Sequence, residues 1–340
     1  MWTDRFGREV TDLRISVTNR CNFACEYCHD EGLGPVASPS RPHPEEISPD
    51  EIERIVSVAR EHGVRSVKFT GGEPLVRPDL EEIVERTARQ VDEVSLTTNG
   101  SMLSGRAEGL RAAGLRRVNV SLDSLDPSAF QRIRGGALAP VLRGIEAALA
   151  AGLTPVKLNT VVYRTTRPYL PTLVDFVRAR PGLSLQLIQY MPEWVGRPDR
   201  GVPFAEIREW LSAQAEQIQT REMHHRSVYR IGGTEVELVD PVDNPEFCRN
   251  CHRVRVTHRG ELKGCLNRND DLIPTRGLDR EALRAAFRRV VRERVPYYGV
   301  YRPSPSAPLL SPTALREAAD PFADPPPVRE GRDLAVDAPP

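Results

Sequence analysis

The chain has 340 residues and 39% hydrophobic content, enough for one large core with a smaller attached unit. Lysine plus arginine and aspartate plus glutamate number 47 each, so no long-range field draws nucleic acid or an anionic membrane, and any basic site is local. No run approaches the roughly 18 apolar residues of a membrane span, and Met1-Trp2-Thr3-Asp4-Arg5 lacks an apolar signal core, so a cytoplasmic protein with reduced thiols is expected.

From the N-terminus, short β-branched runs alternate with helical patterns, the sequence form of strand-helix units around a parallel sheet. Strands are expected at Leu13 to Thr18, Ser66 to Thr70, Glu93 to Thr98, Arg117 to Ser121, Pro155 to Val161 and Leu183 to Gln189. This is an α/β chain, and six such units suggest a partial (β/α)6 TIM-type barrel, in which ligands collect at the carboxyl ends of the strands. Ser48-Pro49-Asp50-Glu51 joins a capping box to proline at the first helical position, and Gly63 closes that helix. Motifs fall at successive strand ends: Cys21, Cys25 and Cys28 after the first, Gly71-Gly72-Glu73-Pro74 after the second, Thr97-Thr98-Asn99-Gly100 at the third and Ser121-Leu122-Asp123-Ser124 at the fourth. A Gly-Gly pair lets a backbone approach a ligand closely, although it is more often just a turn. A helix over Phe204 to Gln217 precedes a hairpin, Val228 to Ile231 and Thr234 to Val239 around Gly232-Gly233, and a last helix covers Arg280 to Val291. The expected organisation is a barrel over 1–225, a C-terminal domain over 226–301 and a proline-rich extended tail over 302–340.

The six cysteines form two trios and leave no thiol over. Three thiols as close as Cys21, Cys25 and Cys28 cannot all pair with one another, and a structural zinc takes four ligands. A 4Fe-4S cluster on three thiolates fits, its fourth iron open to a small molecule; the plainer reading is three buried thiols acting as small hydrophobes. In the second trio, Cys248, Cys251 and Cys265, the spacing allows either a cluster or a zinc completed by His252 or His258. Alternation in the strand that follows puts Arg253 and Arg255 on one face, shared with Cys251 if the strand starts early. That face is either a socket for an anion or a pair of exposed arginines on an edge strand.

C-x3-C-x2-C is also the signature of radical S-adenosylmethionine enzymes. Together with Asp12-Leu13-Arg14-Ile15-Ser16-Val17-Thr18, Thr70-Gly71-Gly72-Glu73-Pro74-Leu75, Val118-Asn119-Val120-Ser121-Leu122-Asp123, Tyr190-Met191-Pro192 and the C-x2-C-x13-C trio, it makes the chain resemble the GTP 3′,8-cyclase family of molybdenum cofactor biosynthesis, over about residues 4 to 300. The resemblance implies a C-terminal domain carrying an auxiliary cluster and two 4Fe-4S clusters in all. S-adenosyl-L-methionine would lie on the N-terminal cluster, touched by Tyr27, Gly72, Ser121 and Met191. GTP would lie between the clusters on Arg14, Lys68, Thr97, Lys157, Arg253 and Arg255, with the five cations converging on its triphosphate. A low-potential electron donor is implied, a homodimer is allowed for, and neither nucleic acid nor membrane is a partner. Lys68, Gln186 and Gln189 depart from the family pattern, as does the Pro339-Pro340 end in place of Gly-Gly. The alternatives these leave are a paralogue acting on another nucleotide and a peptide-modifying radical enzyme; a cluster-carrying electron-transfer protein would not need the strand-end motifs.

Overall fold

In the computed structural model, residues 1–33, 46–192 and 197–298 are described. The proline-rich segment 302–340 and the last residues of 226–301 lie outside them. β1 (Asp12–Ser16), β2 (Ser66–Thr70), β3 (Glu93–Thr98), β4 (Arg117–Ser121), β5 (Val156–Val162) and β6 (Leu183–Gln189) pair in parallel in chain order, within a residue or two of the expected runs. Their period of two decides which side chain meets what. Leu13, Ile15, Val67, Phe69, Leu96, Val118 and Leu158 are buried in the hydrophobic core, each contributing about 1.5–3 kcal/mol by leaving water. The alternate positions, including Arg14, Lys68, Thr97, Asn119, Lys157, Asn159 and Gln186, line the barrel interior.

The covering helices are α1 (Pro49–Glu61), α2 (Leu80–Ala88), α3 (Ala107–Ala112), α4 (Pro127–Arg134), α5 (Leu138–Ala150) and α6 (Leu170–Arg178). At α1 the capping box is complete: the Glu51 amide donates to Ser48 Oγ at 3.2 Å and the Ser48 amide to Glu51 Oε2 at 2.8 Å.

After α7 (Phe204–Ser212) come β7 (Gln217–Thr220), β8 (Ser227–Ile231), β9 (Thr234–Val239), α8 (Pro245–Arg249), β10 (Arg253–Val256), β11 (Glu261–Lys263), β12 (Ile273–Pro274) and α9 (Arg280–Glu293). The helix expected to reach Gln217 stops at Ser212, because Gln217 to Thr220 pair antiparallel with Ser227 to Arg230; cross-strand hydrogen bonds override local helix preference there. Among the described residues all twelve strands form one sheet, in the order β12-β11-β10-β1-β2-β3-β4-β5-β6-β9-β8-β7. β10 runs parallel to β1 and β9 parallel to β6, so the C-terminal part adds a strand to each flank of the six-stranded barrel. Met1–Tyr301 is one compact unit, and residue 225 lies inside the β7–β8 hairpin.

Candidate active site

A cavity of about 370 Å³ opens at the carboxyl ends of the strands, and all six cysteines line it. Gly71 and Gly72 let the loop after β2 lie against the stretch leading to Cys21: Gly71 has φ +151, and a Cβ on Gly72 would stand 2.3 Å from the Arg20 carbonyl oxygen. The close approach made by this glycine pair is therefore to the chain itself. Glu73, fully buried beside it, accepts from Thr98 Oγ1 at 2.7 Å and the Asn99 amide at 2.6 Å, joining the ends of β2 and β3. Asp123 accepts from the Tyr27 hydroxyl at 2.5 Å, Arg134 Nη1 at 3.2 Å and the Val161 amide at 3.0 Å. Burial pushes the Tyr27 hydroxyl well above its ordinary range, so it stays a neutral donor to that carboxylate.

No disulfide joins the cysteines. Burial pushes the Cys21 thiol up to about 11, Cys25 to about 12 and Cys265 to about 11. Yet backbone amides already point at the sulfurs: Phe23 at Cys21 Sγ, 3.4 Å, and others at Cys28, Cys248 and Cys265. N–H donors aimed at sulfur are the surroundings of iron-sulfur thiolates, which a bound metal group deprotonates. His252 Nδ1 lies 3.1 Å from the Glu9 carbonyl oxygen. The amides aimed at Cys21 and Cys28 suit an iron-sulfur group at the first trio.

A second cavity, about 1100 Å³, occupies the amino ends of the strands. Arg14, Gln186, Arg226 and Arg253 line both, so the two meet there. Tyr27, Gly72, Ser121, Met191, Thr97 and Arg255 face the upper cavity, and Lys68 and Lys157 the lower. Of the five cations expected to converge, Arg14, Lys68 and Arg255 stand level in the sheet, since Arg14 pairs in register with both of the others; Arg253 lies two residues nearer its strand start and Lys157 is the second residue of β5. Cys251 also falls outside the arginine strand, which begins at Arg253.

Four of the five cations face a carboxylate that sequence reasoning missed. Arg255 donates to Glu31, with Arg14 Nη1 3.6 Å from the same group; Arg253 pairs with Asp12 and Lys157 with Glu237. Asp12 and Glu237 share the strand face of known interior residues, a signal that alternation could have supplied; Glu31 stands in a loop and carries none. Burial alone would raise the Glu31 carboxyl, but Arg14 and Arg255 hold it down to about 2. Burial, then Arg117 and Arg14, push the Lys68 ammonium well below its ordinary range, and its Nζ donates to Asn119 Oδ1 at 3.4 Å. The two glutamines are taken up locally: Gln186 Nε2 donates to Glu237 at 2.9 Å, and Gln189 Oε1 accepts from the Val242 amide at 3.0 Å.

Residues 15–177 match the Radical SAM superfamily and 183–300 match Molybdenum Cofactor Synthesis C. The chain is 51% identical over 328 residues to a probable GTP 3′,8-cyclase of Halobacterium salinarum, covering 88% of this chain and 91% of that one. A probable GTP 3′,8-cyclase of Methanocella arvoryzae is 42% identical over 301 residues, covering 88% and 95%. Among solved structures, Streptococcus suis SuiB bound to its precursor peptide SuiA superposes with a TM-score of 0.59 at 18% identity, over 76% of this chain and 60% of that one. That likeness concerns the fold alone.

Proposed function

Because the chain belongs to the GTP 3′,8-cyclase family, the radical S-adenosylmethionine enzymes of molybdenum cofactor biosynthesis, we propose that each cysteine trio holds a 4Fe-4S cluster and that GTP spans the two cavities. The observation that carries this reading is a barrel interior with all six thiols around one cavity and Lys68 and Lys157 in a second, the two sharing Arg14, Gln186, Arg226 and Arg253 in their walls. Guanine and ribose lie among the cysteines, and the triphosphate lies toward Lys68 and Lys157. When bound, S-adenosylmethionine and the reduced N-terminal cluster would supply the hydrogen-abstracting radical; GTP would lose one hydrogen atom from the ribose 3′ carbon, form the bond from that carbon to guanine C8, and take up one electron and one proton to give its isomer 3′,8-cyclo-7,8-dihydro-GTP.

The chain's own part is to place and shield. Cys21, Cys25 and Cys28 hold the first cluster, with Tyr27, Gly72, Ser121 and Met191 against the cofactor. Cys248, Cys251 and Cys265 hold the second. Arg14, Arg253 and Arg255 exchange their carboxylate partners in part for substrate oxygens, each charge-assisted hydrogen bond contributing about 1.5–3 kcal/mol. Thr97, whose buried Oγ1 has no hydrogen-bond partner among the described residues, orients the ribose. Lys68, desolvated by the barrel, gains a counter-charge when the triphosphate arrives, and Lys157 adds a contact beside its pairing with Glu237. A low-potential donor would deliver one electron for cofactor cleavage and a second for reduction of the cyclised radical, and reduced thiols suit a cytoplasmic setting.

The second cluster is tested by replacing Cys248, Cys251 and Cys265 together with alanine. The variant should lose about half its iron and still form 5′-deoxyadenosine slowly, since independent sites act independently. Zinc in place of iron in anaerobically purified wild type contradicts the assignment.

A further inference from the structure

The lower cavity reaches the surface, and its rim is basic. Arg111 on α3, Arg116 just before β4 and Arg230 on β8 line it and are all exposed. Arg111 Nη1 donates to the Leu115 carbonyl at 3.3 Å, and among the described residues none of the three pairs with a carboxylate. Arg111 and Arg116 flank one turn, Arg230 comes from far along the chain, and all three line the same cavity. Since the chain as a whole has zero formal charge, this ring is a local positive field on an otherwise balanced molecule, and a cleft with low-dielectric walls focuses such a field.

The proposed arrangement of GTP gives the ring a task. With the cofactor on the first cysteine trio, the upper cavity is occupied on the side where guanine and ribose must lie. A nucleotide entering from the lower mouth passes base first through the junction at Arg14 and Arg253, and its triphosphate trails behind to stop among Lys68 and Lys157. The polyanion never has to cross the junction.

We propose that the lower mouth is the entrance for the nucleoside triphosphate, and that Arg111, Arg116 and Arg230 steer it in without belonging to the bound-state site. This rests on the cyclase reading. The test uses the full chain, anaerobically reconstituted and loaded with S-adenosylmethionine, and measures association of radiolabelled GTP by rapid filtration. The Arg111→Gln/Arg116→Gln/Arg230→Gln variant should associate about tenfold more slowly at low ionic strength, a typical steering effect. The difference should close toward ~0.5 M salt as screening shortens the field. Its dissociation rate should stay within about twofold, as electrostatic steering acts on encounter, and cofactor cleavage without GTP should be unchanged, which also reports an intact fold. An unchanged association rate at low salt, or a loss confined to dissociation, overturns the entrance while GTP binding by the wild type leaves the cyclase reading standing. Wild-type protein that binds no GTP overturns both.

Discussion

Glu237 shows how the barrel holds charge in its interior. It pairs with Lys157, and Arg226 Nη1 and Arg221 Nε lie 3.1 and 3.3 Å from its other oxygen. Burial alone would raise the carboxyl, but these cations hold it down to about 2 from an ordinary 4.5. A depressed carboxylate stabilises the fold fully above its unfolded value and loses that contribution as pH falls through the folded one. Glu237→Gln should therefore destabilise the protein by about 3 kcal/mol at pH 7, where it strands a buried Lys157. The gap to wild type in denaturant midpoints should narrow as pH drops from 4.5 toward 2; an equal gap at pH 7 and pH 3 would refute the charge argument. That Asp12 and Glu237 face inward was legible from strand alternation. That they neutralise Arg253 and Lys157 was not, since those pairs join residues 241 and 80 positions apart. Glu31 was less visible still, with φ 51 in the left-handed region, an uncommon conformation for a residue other than glycine and one that its sequence does not announce.

The six parallel strands and the α1 cap could be read directly, because apolar and polar positions alternate cleanly and Ser48-Pro49-Asp50-Glu51 satisfies the first amides of its helix. β7 escaped notice: its four residues are all exposed and its partner strand begins seven residues after its end, so no local period marks it. The Gly71-Gly72 turn was noticed for its freedom, and the structure adds the reason. A Cβ on Gly72 meets the carbonyl oxygen of Arg20, the residue before Cys21, so the two loops must part to admit it. Gly72→Ala should cost about 1–3 kcal/mol by overpacking and lower the iron bound at the first trio. Full iron content with wild-type stability in that variant would show that the contact does not position Cys21.

At the scale of the whole molecule, both ends of the described residues build the barrel. Arg294, at the end of α9 and almost fully buried, donates to Asp4 Oδ2 at 2.7 Å, the Arg8 carbonyl at 2.8 Å and the Arg253 carbonyl at 3.0 Å. This fastens the N-terminal segment to β10. Fold class and both cysteine trios were legible because their signals are local periods and spacings. The closing of the sheet by β10 against β1 and β9 against β6 was not, because parallel pairing over such separations leaves no local mark. The central claim is that this interior turns GTP into its cyclised isomer. The direct measurement is anaerobic incubation of the reconstituted full chain with dithionite, S-adenosylmethionine and GTP, ATP, CTP or UTP in parallel, followed by liquid chromatography and mass spectrometry. The account predicts 5′-deoxyadenosine together with a product of GTP's own mass but different retention, from GTP alone; cofactor cleavage that leaves GTP unchanged, or cyclisation of another triphosphate in its place, would contradict it.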